Sequence, residues 1–463
     1  MYDSFYGIRE ECGVLGIWSK NDSSIAKSIY YGLLSLQHRG QEAAGIAVCD
    51  TKGNHGNLNI HKDMGLVSEV FTEDRLKLLK GNIGIGHVRY STTGDSNVAN
   101  AQPFASYYLK GTLALVHNGN IVNSNQLKTK LMNEGIIFKA NTDTEVIEVL
   151  LAQKRAKAGS IESAVKETVS ELVGGYALII MSPRKLVAVR DSLGLKPMCI
   201  GKYQDGWIIA SESCALSSLG AEFIRDVKPG EIITISDNGI VSDTSLCPKD
   251  HAHCVFEYIY FARLDSVIDS HSVYSARFRS GQMLAKAYPI EADIVSGVPE
   301  SGLTAAAGYA YESGIPNVNV FYKNGYLGRT FIKPTQEERI SAVHMKLNVV
   351  PELVKDKRIV IIDDSIVRGN TMANLVNKLR DAGAKEVHVR ISSPPFLYPC
   401  YYGTDVPDNS QLIATQMFID DIRKAINSDS LGYMKLEDLD AIVPGLPLCK
   451  ACFNGLYPTS IDR

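Results

Sequence analysis

The chain has 463 residues, 45% hydrophobic and 21% charged, a composition of folded domains that excludes disorder for most of its length. Lys and Arg number 48 against 51 Asp and Glu, and this net charge of −3 argues against bulk binding to nucleic acid or to an anionic membrane. At about 150 residues per domain the length suits two or three domains, and no apolar run nears the roughly 20 residues of a membrane span.

Residues 1–11 carry Asp3, Glu10 and Glu11 and have no apolar core, so they do not read as a secretory signal. Nine cysteines, an odd count without an export signal, point to metal-binding or nucleophilic thiols in a cytosolic chain rather than to a disulfide framework. Residues 12–18 read as a strand that begins with Cys12. Ser24 suits the N-cap of a helix bearing Ile25, Ile29, Leu33 and Leu36, with Gly40 as its stop. Residues 111–117 alternate like a strand and then meet Asn118-Gly119, a turn dipeptide. Residues 144–154 read as a helix with Val146, Val149 and Leu150 on one side. Short strands dominate to about Thr244, and a Pro- and His-containing join follows at 247–253.

From about Glu257 the texture changes to strands alternating with helices. Residues 293–296 lead into a loop, 297–302, and an Ala-rich helix from Leu303. Residues 358–362 lead into a polar loop and a helix with Val376 and Leu379, stopped at Gly383; a strand at 386–391 follows. This is the pattern of a parallel sheet with crossover helices.

Three constellations carry chemistry. In the first, Cys12 is followed in order by His38-Arg39-Gly40-Gln41-Glu42, by Gly86-His87-Val88-Arg89-Tyr90-Ser91-Thr92, by His117-Asn118-Gly119-Asn120 and by Asn141-Thr142-Asp143. Together they resemble the glutaminase domain of N-terminal-nucleophile (Ntn) amidotransferases. The resemblance implies a propeptide at 1–11 and an Ntn hydrolase sandwich at 12–245. A thiol at Cys12 would attack the carboxamide carbon of glutamine. An α-amine freed by removal of residues 1–11, with an ordinary pKa of about 7.7–8.0, would serve as its base. The tetrahedral oxyanion needs donors already in place. The resemblance assigns these to the Asn118 amide and the Gly119 N–H, the substrate α-carboxylate to Arg89, and its α-ammonium to Asp143.

In the second, a buried-strand run meets Asp363, Asp364, Ser365, Ile366, Val367, Arg368, Gly369, Asn370 and Thr371 and then a helix. This resembles the fingerprint of type I phosphoribosyltransferases and implies such a domain over 255–463. Backbone N–H groups and hydroxyls at a helix N-terminus make an anion site, and Gly369 permits close approach. Paired carboxylates at a strand end need hydroxyls or cations beside them, which ribose and Mg²⁺ would supply. The loop 297–302 resembles the pyrophosphate loop of that fold, with Ser301 near the metal. The basic stretch from Tyr322 through Arg329 and Lys333 to Lys346 resembles its mobile loop.

In the third, Cys449 and Cys452 form a Cys-x-x-Cys pair, with Cys254 and Cys400 elsewhere in the second half. Four thiolates suit Zn²⁺ or an iron–sulfur cluster, and spacing alone leaves both open. These positions resemble the ligands of the iron–sulfur type of glutamine phosphoribosylpyrophosphate amidotransferases. That resemblance implies a structural 4Fe-4S cluster, with Cys247 as the rival ligand.

Over both halves the chain resembles this same family, and the implied expectations follow from it. Glutamine, water and phosphoribosyl pyrophosphate give phosphoribosylamine, glutamate and pyrophosphate, the first committed step of purine synthesis. Ammonia crosses an internal channel, and Mg²⁺ chelates the leaving pyrophosphate. The enzyme is cytoplasmic, a homotetramer inhibited by purine nucleotides, with no nucleic-acid or membrane partner. Gly325, His344 and Lys196 stand where arginine is usual, and Leu264 where proline is. A sugar-phosphate-aminating Ntn amidotransferase would share only the first half and has no need of the loop 363–371. A nucleotide-sensing regulator is opposed by the net charge and by the complete glutaminase set.

Overall fold

Residues 12–52, 57–90, 96–108, 110–324, 347–404 and 409–461 are described in this computed structural model. Short apolar strands build the first half into two antiparallel sheets. In the seven-stranded sheet, Gly13–Trp18 runs between Gly206–Ala210 and Ile83–Arg89. In the six-stranded sheet, Gly111–Ile121 pairs with Gly174–Met181. The sheets face each other through Val14, Ile85, Val116, Ile179 and Ile209. Helix Ile25–Ser35 covers the outer face of the first sheet through Ile25, Ile29 and Leu33. Helices Asp143–Lys157 and Ile161–Val169 cover the second. The result is a four-layer helix–sheet–sheet–helix sandwich. Strands such as Gly13–Trp18, buried on both faces, therefore lack a clean polar alternation.

The second half is a parallel sheet ordered Ile294–Gly297, Arg358–Asp363, Glu386–Ile391 and Ser430–Tyr433. Alternate residues of its second strand face opposite layers. Val360 and Ile362 pack with helices Val273–Ala287 and Gly302–Ser313, while Ile359 and Ile361 pack with Asn370–Asp381. The C-terminal segment returns to the junction between the halves, where His253–Cys254 pairs in parallel with Leu448–Cys449. Among the described residues no helix is long and apolar enough to cross a membrane.

Three local expectations are corrected. Asn118-Gly119 is no turn: Gly111–Ile121 is one continuous strand, with Asn118 opposite Ala177 and Gly119 opposite Tyr176. Glycine is required there by close approach, since a Cβ on Gly119 would lie 2.0 Å from the Gly175 carbonyl at a φ of +141°. Gly40 is not the stop of the first helix, which ends at Ser35 and passes into a 3₁₀ turn, Gln37–Arg39. Gly40 is extended, and a Cβ on it would meet the backbone carbons of Val88 and Arg89 at 2.7 Å. Helix Asp143–Lys157 starts one residue earlier than expected because Thr142 takes the N-cap, accepting from the Thr144 N–H.

Candidate functional site

Cys12 immediately precedes the strand Gly13–Trp18, and the pairing of Gly13 with Val88 brings it alongside Arg89. The thiol is buried and donates to the Tyr90 carbonyl at 3.4 Å. Burial pushes it up to about 11, against the opposing effects of that contact and of the Arg89 charge. A thiol held so high at neutral pH needs a base beside it to become a nucleophile. Arg89 is itself buried, with Nη1 3.7 Å from the Glu42 carboxylate.

The opposite wall is the strand Gly111–Ile121. The two sheets are pinned at this end by His87 Nε2, 3.0 Å from the His117 carbonyl. Gln102 fixes the same peptide from the other side, accepting from His117 N–H at 2.6 Å and donating to its carbonyl at 3.2 Å. Burial pushes His87 down to about 3, so its ring is neutral. Next to this clamp stands Asn118, buried, with both side-chain polar atoms lacking a hydrogen-bond partner among the described residues. Such an orphaned amide costs about 1–3 kcal/mol and marks a place kept for a ligand. Asp143 accepts from the Ile121 N–H at 2.9 Å. Burial alone would raise its carboxyl, but His117 and these hydrogen bonds hold it below the usual range. It is an anion throughout the neutral range.

The second half completes this site. Arg39, wholly buried, donates from Nε to the Cys12 carbonyl at 3.0 Å and from Nη1 to Glu212 at 2.7 Å. It also makes a forked pair with Glu257 at 2.9 and 2.7 Å. Glu257 opens the π-helical turn Glu257–Phe261, next to the junction. The carbonyls of Tyr258, Tyr260 and Ala262 accept from buried Arg277, whose charge acts on Asp364. Hydrogen bonds thus link the Cys12 carbonyl through Arg39 to Glu257, and Arg277, bound to the same turn, acts electrostatically on Asp364. Neither Arg39–Glu257 nor Gln102 was anticipated. The one signal was a lone glutamate inside the apolar run Val255-Phe256-Glu257-Tyr258-Ile259.

The paired aspartates lie at the C-terminal end of Arg358–Asp363, where open parallel sheets bind ligands. Ser301 donates to Asp364 at 2.5 Å, Ser365 donates to the other Asp364 oxygen, and the Asp364 N–H donates to Asp363 at 2.9 Å. Burial and then the neighbouring charge raise Asp363; burial raises Asp364 against Ser301, Ser365 and Arg277. Two carboxyls so disposed, with a serine hydroxyl, fit a hard divalent cation. Gly369 sits at a φ of +85° as the cap of helix Asn370–Asp381, with Asn370 and Thr371 in its first turn. Arg368 donates to Gln411 at 2.6 Å. Ile366 and Val367 are buried in opposite apolar layers of the sheet, so their share in the loop is made by backbone.

The four thiols come from three segments. Cys254 and Cys449 are paired strand residues, Cys452 lies in the turn Ala451–Asn454, and Cys400 accepts from the Tyr402 N–H at 3.4 Å. Burial drives Cys452 well up, and the Cys400, Cys254 and Cys449 thiols add to that effect. Cys247 stands elsewhere, near Glu231, Lys228 and Asp243. Among the described residues no three His, Cys, Asp or Glu side chains stand close enough to share one metal ion. Residues 1–11, Ser91 and Thr92, and the loop containing Gly325, Arg329, Lys333, His344 and Lys346 lie outside the described residues. The loop's stems, Phe321–Lys323 and Leu347–Val349, pair with each other.

Comparison with known proteins agrees with both halves. Residues 87–218 match the family described as glutamine amidotransferase domain, and residues 275–392 the phosphoribosyl transferase domain. An amidophosphoribosyltransferase of Methanocaldococcus jannaschii is 48% identical, covering 97% of this chain and 98% of the relative. That of Bacillus subtilis strain 168 is 45% identical, over 98% of this chain and 95% of its own. A solved structure of the allosteric regulatory enzyme of purine biosynthesis superposes with a TM-score of 0.91 at 44% identity, covering 98% of this chain and 97% of its own. The B. subtilis glutamine phosphoribosylpyrophosphate amidotransferase complexed with ADP and GMP does so with a TM-score of 0.90 at 44% identity, covering 98% of each chain.

Proposed function

We infer the reaction from membership: the chain belongs to the amidophosphoribosyltransferase family and is an enzyme with a glutaminase half and a phosphoribosyltransferase half. It converts glutamine, water and phosphoribosyl pyrophosphate to phosphoribosylamine, glutamate and pyrophosphate, the first step of purine biosynthesis. The observation that carries this reading is the buried Asn118 amide, without a hydrogen-bond partner among the described residues, in a sheet packed against the one whose strand follows the buried Cys12 thiol, in one chain with paired carboxyls at the C-terminal end of a parallel strand.

In the first half, Cys12 attacks the carboxamide, and the Asn118 amide and Gly119 N–H receive the oxyanion. Arg89 binds the substrate carboxylate, and Asp143 its ammonium. The base is the Cys12 α-amine once residues 1–11 are removed. In the second half, backbone groups of 365–371 with Ser365 and Thr371 hold the 5-phosphate, and Asp363 and Asp364 hold the ribose hydroxyls. Mg²⁺ would be held by Asp363, Asp364 and Ser301 and would supply charge neutralisation to the departing pyrophosphate. Cys254, Cys400, Cys449 and Cys452 would hold a 4Fe-4S cluster, a structural tie between the C-terminal segment and the junction. Four thiolates, two of them on strands paired at the junction, suit such a group. By the same family reasoning the enzyme is cytoplasmic and a homotetramer. Control by purine nucleotides is supported by the neighbour bound to ADP and GMP.

Two variants test the division of labour. Cys12→Ala abolishes glutamine-dependent pyrophosphate release and keeps the ammonia-dependent reaction. Asp364→Asn abolishes both syntheses and leaves glutamine hydrolysis. Loss of the ammonia reaction in Cys12→Ala would refute the assignment of one reaction to each half. Iron and acid-labile sulfide analysis of anaerobically purified protein tests the cluster, and equimolar zinc would replace it.

A further inference from the structure

The strand that carries Asn118 and Gly119 is backed by the other half of the chain. Asn120 Nδ2 donates to the Tyr401 carbonyl at 2.9 Å. On the paired strand, a Cβ built on Gly175 would lie 3.3 Å from the Tyr402 Cβ. Gly403 then faces Gly119 directly. A Cβ on Gly403 would stand 3.1 Å from the Gly119 carbonyl carbon, 3.2 Å from its Cα and 3.2 Å from Lys196 Nζ. Gly403 has a φ of +109° and Gly119 one of +141°, so two glycine backbones are stacked without side chains between them. Residues 401–403 follow Cys400, whose sulfur accepts from the Tyr402 N–H. Nothing in the phosphoribosyltransferase chemistry requires this contact. The neighbours of Gly403 are the Gly119 carbonyl carbon, the Gly119 Cα, one bond beyond the Gly119 N–H, and Lys196 Nζ.

We propose that Gly403, with the Asn120–Tyr401 hydrogen bond beside it, is a positioning element through which the second half sets the Asn118–Gly119 peptide for glutamine hydrolysis. The inference rests on the reading of Asn118 and Gly119 as oxyanion donors. Such donors act only at the correct place, and the tetrahedral state is more sensitive to their position than the bound substrate is. A methyl at 403 forces a shift of a few tenths of an ångström against the Gly119 backbone and the Lys196 ammonium, in a conformation that L side chains rarely adopt. The same segment begins at a thiol of the cysteine set, so whatever holds Cys400 also holds the backing of the oxyanion strand.

The test uses Gly403→Ala and, as a second variant without backbone strain, Asn120→Ala, both in the full chain. Glutamine hydrolysis is measured alongside ammonia-dependent synthesis and inhibition by an aldehyde analogue of glutamine. That analogue adds the Cys12 sulfur to its carbonyl carbon, the thiol proton passing to the oxygen. The expected result is a fall of about 10- to 100-fold in kcat with glutamine in Gly403→Ala, and a smaller fall in Asn120→Ala. Aldehyde affinity falls by a like factor, while KM for glutamine and the ammonia reaction hold. A rise in KM at unchanged kcat, a parallel loss of the ammonia reaction, or unchanged kcat in both variants overturns the proposal. Asn118→Ala separates the two levels. If it loses hydrolysis while both other variants keep it, only the positioning role falls; if it keeps hydrolysis, the oxyanion reading falls and takes this one with it.

Discussion

Replacing Glu257 by alanine removes the second half's only charged grip on Arg39 among the contacts described above. Arg39 and Glu212 side chains are wholly buried and Glu257 is 2% exposed, so solvent screening is slight. Two charge-assisted hydrogen bonds, at 2.9 and 2.7 Å, disappear. At about 1.5–3 kcal/mol each, and with about 3–5 kcal/mol typical for removing one partner of a buried pair, the expected loss is about 3–5 kcal/mol. Glu212 remains to balance the guanidinium, which keeps the figure from rising further. The loss is local: it frees the turn Glu257–Phe261 and the Cys12 carbonyl, not the distant parallel sheet. Amide hydrogen exchange by mass spectrometry reads it directly. Exchange in peptides of Gly13–Trp18 and Glu257–Phe261 accelerates by about 10²- to 10⁴-fold, up to the limit set by global unfolding, while Glu386–Ile391 keeps its protection. Glu257→Gln, which retains shape and one acceptor, loses about half as much free energy. Acceleration of less than about fivefold in both peptides would refute the view that this pair fastens the halves together.

Asp143→Asn keeps an acceptor for the Ile121 N–H but loses the charge. It lowers kcat/KM for glutamine by about 10- to 150-fold, equivalent to one charge-assisted hydrogen bond, with the ammonia reaction unchanged. Unaltered glutamine kinetics would remove Asp143 from the substrate site. The raised carboxyls of Asp363 and Asp364 give a pH signature. Protons bind the folded state more tightly than the unfolded one, so the pair's contribution to stability is full below the ordinary carboxylate pKa. It is lost as pH rises through the raised value. Mg²⁺ reverses that loss by displacing protons. Calorimetric titration therefore shows proton release on binding and an affinity that climbs with pH until both groups are ionised. A pH-independent affinity without proton release would contradict it.

The fold was legible where local pattern and tertiary role coincide. Residues 358–371 read as buried strand, acidic turn and helix because each step has its own signal: β-branched run, paired acids, glycine cap. The helix over Ile25–Ser35 showed its buried stripe for the same reason. Asn118-Gly119 misled because dipeptide preference is local, whereas its conformation is set by Gly174–Met181, more than fifty residues on. Gly40 misled likewise: its reason is the backbone of Val88 and Arg89 pressed against it, not a left-handed cap. The expected glutaminase residues were picked out by their order, yet the groups packed around them were not. Gln102 and Glu257 act across sequence gaps of 15 and 218 residues, and nothing near either one announces its partner.

Ile366 and Val367 drive the proposed phosphate loop like two pegs, one into each hydrophobic layer of the sheet. On that proposal the cradle is shaped before any anion arrives, and little ordering entropy is left to be spent at docking. It also means that affinity there can be tuned from below: trimming a methylene in either oily layer would be felt by a ligand that never touches it. Selection on tightness could therefore work through aliphatic positions, leaving every polar atom of the loop unaltered.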